Sequence, residues 1–185
     1  MSSALPMTLV LAALFSVVVL ATSFLSGVFG MAGGMLLMGV LIFMMPVPTA
    51  MVLHGVTQLA SNGWRATLWW RYVKPAIVVR FAIGTLIALA VFSLIRLVPD
   101  RATVLLLLGL LPFIAVCVPD KIAPRADRFG GAELSGMLSG AFQLLAGVSG
   151  PLLDTFFVRM GLDRRVIVAT KAACQMISHV VKLVY

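Results

Sequence analysis

The chain has 185 residues, 62% hydrophobic and 11% charged, with a mean hydropathy of +1.13. Soluble domains run about 45–50% apolar and about 25% charged, so a water-soluble globular fold is excluded, and so is disorder, which needs low hydrophobicity. The net charge of +8 does not make a nucleic-acid surface, because the bases sit between apolar runs and not on one polar face.

Sixty-four residues pass before the first formal charge, Arg65. A spanning helix needs about 20 apolar residues. Segment one, about Met7–Phe29, satisfies that. It reads as a retained helix and not a signal peptide, because no Lys or Arg precedes it and no small-x-small site closes it. It runs into Gly30-Met31-Ala32-Gly33-Gly34. Segment two, about Met35–Met45, is too short to cross alone and stops at Pro46-Val47-Pro48. Segment three is about Thr49–Trp70, with Trp64, Trp69, Trp70 and Tyr72 as an interfacial belt.

Segment four is about Pro75–Val98, with Arg80 read as snorkelling near its end. Segment five is about Ala102–Val118, with a kink expected at Pro112. The polar stretch 119–131 reads as a cytoplasmic linker. Segment six, about Ala132–Ala146, ends in Gly147-Val148-Ser149-Gly150-Pro151. Segment seven, Leu152–Met160, is short again, and segment eight is about Asp163–Tyr185. Cys117 and Cys174 lie in apolar segments without CxxC spacing and read as buried, inert thiols.

Counting bases in the connections gives an orientation. With the N-terminus outside, the three cytoplasmic connections hold nine bases (Arg65, Arg71, Lys74, Lys121, Arg125, Arg128, Arg159, Arg164 and Arg165) and the outer ones two, Arg96 and Arg101. That split follows the positive-inside rule.

The segments also repeat. Leu25-Ser26-Gly27-Val28-Phe29 returns as Leu138-Ser139-Gly140-Ala141-Phe142, offset by 113, and each copy precedes a glycine-rich break and a short helix. Further on, Thr57–Asn62 meets Cys174–His179 at offset 117. Five segments per copy is an odd number, so the second copy enters from the opposite side. The expected architecture is an all-α polytopic bundle with an inverted-topology repeat: one transmembrane domain over 1–185, with repeat one at 7–118 and repeat two at 132–185. Matched interrupted segments in two halves point to a transporter's binding site. A helix N-terminus at such a break carries free N–H donors and positive dipole character, which suits an anion.

At offset 117 the polar pairs are His54/Lys171, Gln58/Gln175, Ser61/Ser178, Asn62/His179 and Arg65/Lys182, all on one helix face. Polar groups in hydrocarbon are costly, so the stripe faces the bundle interior. Gln58 and Gln175 fall roughly 15–18 Å from their helix starts, near the midplane. The expected substrate-binding residues are Gly33, Gly34, His54, Gln58, Asn62, Ser149, Gly150, Lys171, Gln175 and His179, with Lys171 supplying positive charge. Asp154 could instead pair with Lys171. Arg65 and Lys182, near helix ends, read as snorkelling anchors, and Ser61 and Ser178 as bonded to their own helix backbone.

With these residues in hand, the chain resembles the sulfite exporter TauE/SafE family of bacterial membrane transporters. The resemblance rests on Phe24–Leu36 with His54–Asn62, and on Gly136–Leu152 with Val168–His179, and covers about Leu9–Tyr185. It implies a carrier of small sulfur-containing anions such as sulfite, sulfoacetate or thiosulfate, working as an exporter in the cytoplasmic (inner) membrane. The family's second half runs longer, so repeat two reads as incomplete, and the first break is looser than a full glycine run.

Two other classes compete. A passive anion channel, or a membrane subunit without transport of its own, would conduct without saturation or not at all. An intramembrane serine protease would use Ser149 in Gly147-Val148-Ser149-Gly150 with His179 as base, but the first break holds no serine and the symmetry mate of His179 is Asn62. No HExxH, P-loop, dinucleotide fingerprint or clustered His/Cys spacing occurs, so no cofactor, metal or enzymatic role is expected. Energy would come from an ion gradient, with His54 or His179 as a route for a coupling proton. The chain is compatible with a homo-oligomer.

Overall fold

The computed structural model describes residues 4–29, 32–117 and 124–185, and every regular element in that range is helical. Eight α-helices follow in order: α1 (Ala4–Phe29), α2 (Ala32–Met44), α3 (Val47–Leu68), α4 (Pro75–Ile95), α5 (Arg101–Cys117), α6 (Gly131–Ala146), α7 (Gly150–Phe157) and α8 (Arg164–Val184). Short 3-10 turns at Trp70–Tyr72 and Val158–Met160 extend the ends of α3 and α7. Gly30, Met31 and linker residues 118–123 lie outside the described residues, as do the side chains of Leu25–Phe29 in the first repeat motif.

The boundaries follow local chemistry. Pro46 and Pro75 stand at the starts of α3 and α4, where a missing N–H removes a donor that would be unpaired anyway. Asp163 caps α8 by accepting from the Arg165 N–H at 2.8 Å. Pro112 lies inside α5 without ending it.

The exterior is rich in large apolar side chains, and a set of polar residues is buried beside an apolar core that includes Leu37, Leu41, Phe81, Leu111, Phe156 and Phe157. Leu14, Val17 and Phe24 of α1, Val79 and Leu86 of α4, and Phe113 and Val116 of α5 are exposed, whereas His54, Asn62, Gln143, Thr170, His179 and Lys182 are buried. Two helices, Pro75–Ile95 and Arg164–Val184, are long and apolar enough to cross a membrane by length and composition. An apolar exterior with the polar side chains turned inward suits a hydrocarbon solvent, which tolerates exposed methyls and penalises exposed amides. Cys117 is a correction, since it lies exposed at the end of α5; only Cys174 is buried.

Contacts set the directions of the helices. Lys182 near the end of α8 meets His54 near the start of α3, Met176 lies beside Gly63, and Arg165 stacks over Trp69 at 5.5 Å. Helices α3 and α8 are therefore antiparallel. In contrast, α4 and α6 run parallel, because Arg80 meets Glu133, Phe81 meets Gly136 and Ala88 meets Gly140. Their approach is closer than side chains permit. A Cβ on Gly84 would stand 1.9 Å from the Glu133 carbonyl oxygen, and one on Gly136 2.0 Å from that of Phe81. Arg80 does not snorkel: its guanidinium makes a fork to Glu133 at 2.7 and 2.8 Å and donates to the Arg128 carbonyl at 3.1 Å.

Helix α7 folds back along α6. The Ala126 N–H donates to the Phe156 carbonyl at 3.1 Å, and Arg125 donates to the Met160 carbonyl at 2.8 Å, so the far end of α7 returns to where α6 begins. Described connections bearing Arg65–Lys74, Arg125–Arg128 and Arg159–Arg165 thus gather at one end of the bundle. Tyr185 donating to the Leu97 carbonyl, and Arg101 to that of Phe43, mark the other end.

Asp127 holds Arg125 in place with bonds of 3.0 and 2.7 Å, and the bond from Arg125 keeps the Asp127 carboxyl below its ordinary value. A depressed carboxyl pKa stabilises the fold above the unfolded-state value and loses that contribution as pH falls through the folded one. Asp127→Asn should therefore lower the unfolding temperature equally across neutral pH. The difference from the parent should disappear only in acid, below about pH 4. Thermal melts in detergent across pH check this.

Candidate functional site

Both helix breaks end on one cavity. Its volume is about 20 Å³, and it is lined by Gly34, His54, Gln58, Asn62, Gln143, Val148, Ser149, Gly150, Gln175 and His179. That is room for about one water molecule, well below the about 300–1,000 Å³ of ligand pockets, so a larger guest requires the walls to move apart. The lining comes from the first turn of α2, the middle of α3, the last turn of α6, the start of α7 and the middle of α8.

The α6–α7 break shows how local backbone chemistry places these groups. Gly147 ends α6 with φ of 73°, a left-handed conformation that closes a helix and that glycine adopts without strain. The carbonyl it turns inward accepts from Gln143 Nε2 at 3.1 Å and from Lys182 Nζ at 3.0 Å. A cation at the C-terminal end of α6 meets the negative end of its dipole. Two residues on, the N-terminus of α7 opens toward the cavity with its positive end.

Hydrogen bonding fixes the protonation pattern of the imidazoles. The Gly34 carbonyl can only accept, so His54 Nε2, 2.9 Å away, carries the proton and donates. His54 Nδ1 is then an acceptor, and Lys182 Nζ donates to it at 2.8 Å. Gln143 gives one amide hydrogen to the Gly147 carbonyl and the other to His179 Nδ1 at 3.0 Å, while its Oε1 accepts from Ser149 Oγ at 3.0 Å. His179 therefore keeps its proton on Nε2, which has no protein acceptor among the described residues. The amides of Gln58 and Gln175 also make no protein hydrogen bond among the described residues, and both line the cavity. Asn62 donates to the Gln58 carbonyl at 2.9 Å and accepts from Arg65 at 3.3 Å.

Of the expected residues, the structure brings Gly34, His54, Gln58, Asn62, Ser149, Gly150, Gln175 and His179 to this cavity. Gly33 is buried beside Gly34 but is not in the lining. Lys171 is a correction: it is ion-paired with Asp154 of α7 and stands outside the lining. Lys182, expected as a snorkelling anchor, is 6% exposed and also outside the lining, but its ammonium bonds to the lining residue His54 and to the Gly147 carbonyl. Ser178 does bond to its own helix, donating to the Cys174 carbonyl at 3.4 Å.

Gln143 escaped sequence reasoning because, at offset 113, its counterpart is Gly30, so it belongs to no polar pair. Its place one turn before a glycine break was the available signal. The protease arrangement is absent: Ser149 and His179 each bond to Gln143 and not to one another. Among the described residues no His/Cys/Asp/Glu cluster could hold a metal ion.

What remains is a small chamber whose walls offer neutral N–H donors and one helix N-terminus, with a buried ammonium behind His54. A family model described as sulfite exporter TauE/SafE matches residues 14–185. No curated protein and no solved structure matches the chain.

Proposed function

Because the chain belongs to the sulfite exporter TauE/SafE family, a family of membrane transporters and not of enzymes, we propose that it carries a small oxoanion, sulfite or an organosulfur anion, outward across the cytoplasmic membrane by alternating access. The anion sits in the cavity between the starts of α2 and α7. Gln58, Gln175 and His179 Nε2 supply hydrogen bonds, Gln143 holds His179 and Ser149 in position, and Lys182 supplies the charge.

One observation carries this reading. Lys182 is buried, its ammonium touches only a carbonyl and an imidazole, and no carboxylate contacts it among the described residues. A buried charge without a counter-ion is among the costliest arrangements in a protein. A bound anion supplies the missing partner.

The antiparallel pairing of α3 with α8, and the return of α7 along α6, support an inverted repeat with the two breaks at its centre. Gathering of the basic connections at one end supports a cytoplasmic placement of that end.

The test is counterflow in proteoliposomes. Sulfite uptake should saturate and be accelerated by sulfite on the far side, and Gln58→Ala/Gln175→Ala should lose it. Non-saturating conductance would favour a channel, and no flux from monodisperse protein would refute the reading.

A further inference from the structure

A second cavity lies against the first. Its volume is about 310 Å³, and it is lined by Val47, Pro48, Met51, Val52, Val98, Pro99, Leu144, Lys182, Leu183 and Tyr185. These residues come from the start of α3, the α4–α5 connection, α6 and the end of α8, so the chamber stands at the end away from the basic connections. Its walls are apolar apart from Tyr185 and Lys182.

Lys182 lines the outer chamber and bonds to His54 of the central lining. Its stem borders the outer chamber and passes Gly55, whose added Cβ would lie 3.2 Å from Lys182 Cε. Its ammonium reaches His54, which lines the central cavity, and the Gly147 carbonyl at the tip of the α6–α7 break. One side chain therefore stands in the wall between the two spaces, latched to α3 on one side and to the break on the other.

We propose that Lys182 is the door between the central anion site and this chamber, and that the chamber is the leg of the path toward the end opposite the basic connections. This rests on the transport reading above for its purpose, though not for its geometry. The latch bonds are ones that an anion can replace. An anion in the central cavity competes with His54 and Gly147 for the ammonium, and when Lys182 follows it the wall opens. The occupant of the opened route is the same small oxoanion, accompanied by its counter-charge across an apolar stretch that would otherwise exclude it.

The test reads access and not transport. In a Cys117→Ser/Cys174→Ala background, Met51→Cys reports on the outer chamber and Val148→Cys on the central cavity. Each is labelled in the reconstituted full chain with a membrane-impermeant methanethiosulfonate. Met51→Cys should react at a rate that does not depend on residue 182. Val148→Cys should react slowly with Lys182 present and about tenfold faster or more with Lys182→Ala, since access scales with the open fraction. Lys182→Met, which keeps the length of the plug but loses both latches, should fall between.

Either variant recovered monodisperse decides the matter. An unchanged Val148→Cys rate in it, or a Met51→Cys that fails to react, overturns the proposal. Expected labelling without sulfite counterflow would leave the door standing and refute the carrier. Counterflow with unchanged labelling would do the reverse.

Discussion

Lys182→Met should abolish sulfite transport while leaving a folded protein that sulfite no longer stabilises. The methionine keeps the length and apolar stem of lysine and removes the buried charge that bonds to His54 of the cavity's lining. Removing one partner of a buried charge pair costs about 3–5 kcal/mol. At about 1.4 kcal/mol per tenfold, flux at low sulfite should fall by about two to three and a half orders of magnitude. A thermal shift supplies the second readout. A ligand at about one hundred times its Kd stabilises by about 2.7 kcal/mol, so sulfite should raise the parent's melting temperature and leave that of Lys182→Met unmoved. Lys171→Met serves as the contrast. It breaks the pair with Asp154, which is outside the cavity lining, and should lower stability without removing the sulfite-induced shift. If the two variants exchange these behaviours, the assignment of the charge to Lys182 is wrong.

The second large effect lies far from the cavity, at the crossing of α4 and α6. In Gly136→Ala the new Cβ would stand 2.0 Å from the Phe81 carbonyl oxygen and 2.9 Å from its carbon, and both atoms are backbone. No rotamer change relieves such a contact, so the helices must separate. That separation would also stretch the bond from Thr85 Oγ1 to the Gly136 carbonyl, 3.2 Å in the native crossing. Overpacking costs about 1–3 kcal/mol and more where nothing can yield, and this substitution should reach or exceed the upper figure. Gly109→Ala in α5 is the control, because nothing lies within 4 Å of its added Cβ. There the gain in helix propensity should stabilise by about 0.5–1 kcal/mol. Thermal unfolding in one detergent should therefore rank Gly109→Ala above the parent and Gly136→Ala well below it.

Much of this molecule is visible in one dimension. Composition and the spacing of apolar runs lead to eight helices whose ends lie within a few residues of those observed, because a membrane helix is a local object. Its backbone bonds close within the segment. Gly147 and the Pro46-Val47-Pro48 run interrupt helices wherever they occur, for reasons internal to the residue. The polar stripe from His54 to Arg65 is legible in the same way, since one unbroken helix carries it and its cost in hydrocarbon turns it inward.

Which cation faces the cavity is a different kind of question. Lys171 and Lys182 lie on the same face of α8, eleven residues apart, and depth counted along the chain favours Lys171. The antiparallel register of α3 against α8 and the return of α7 decide otherwise: Asp154 reaches Lys171, while His54 and the Gly147 carbonyl reach Lys182. Gln143 is invisible for a related reason: its partners Gly147 and Ser149 are local, but the bond that ties it to the site is to His179, on another helix.

Secondary structure, the position of the breaks and the inward polar face follow from local chain chemistry and the solvent. The identity of the buried charge, the tautomers of His54 and His179, and the close α4–α6 crossing depend on pairings between distant segments. Such pairings are set by which helices pack and in what register, and no local rule contains that information.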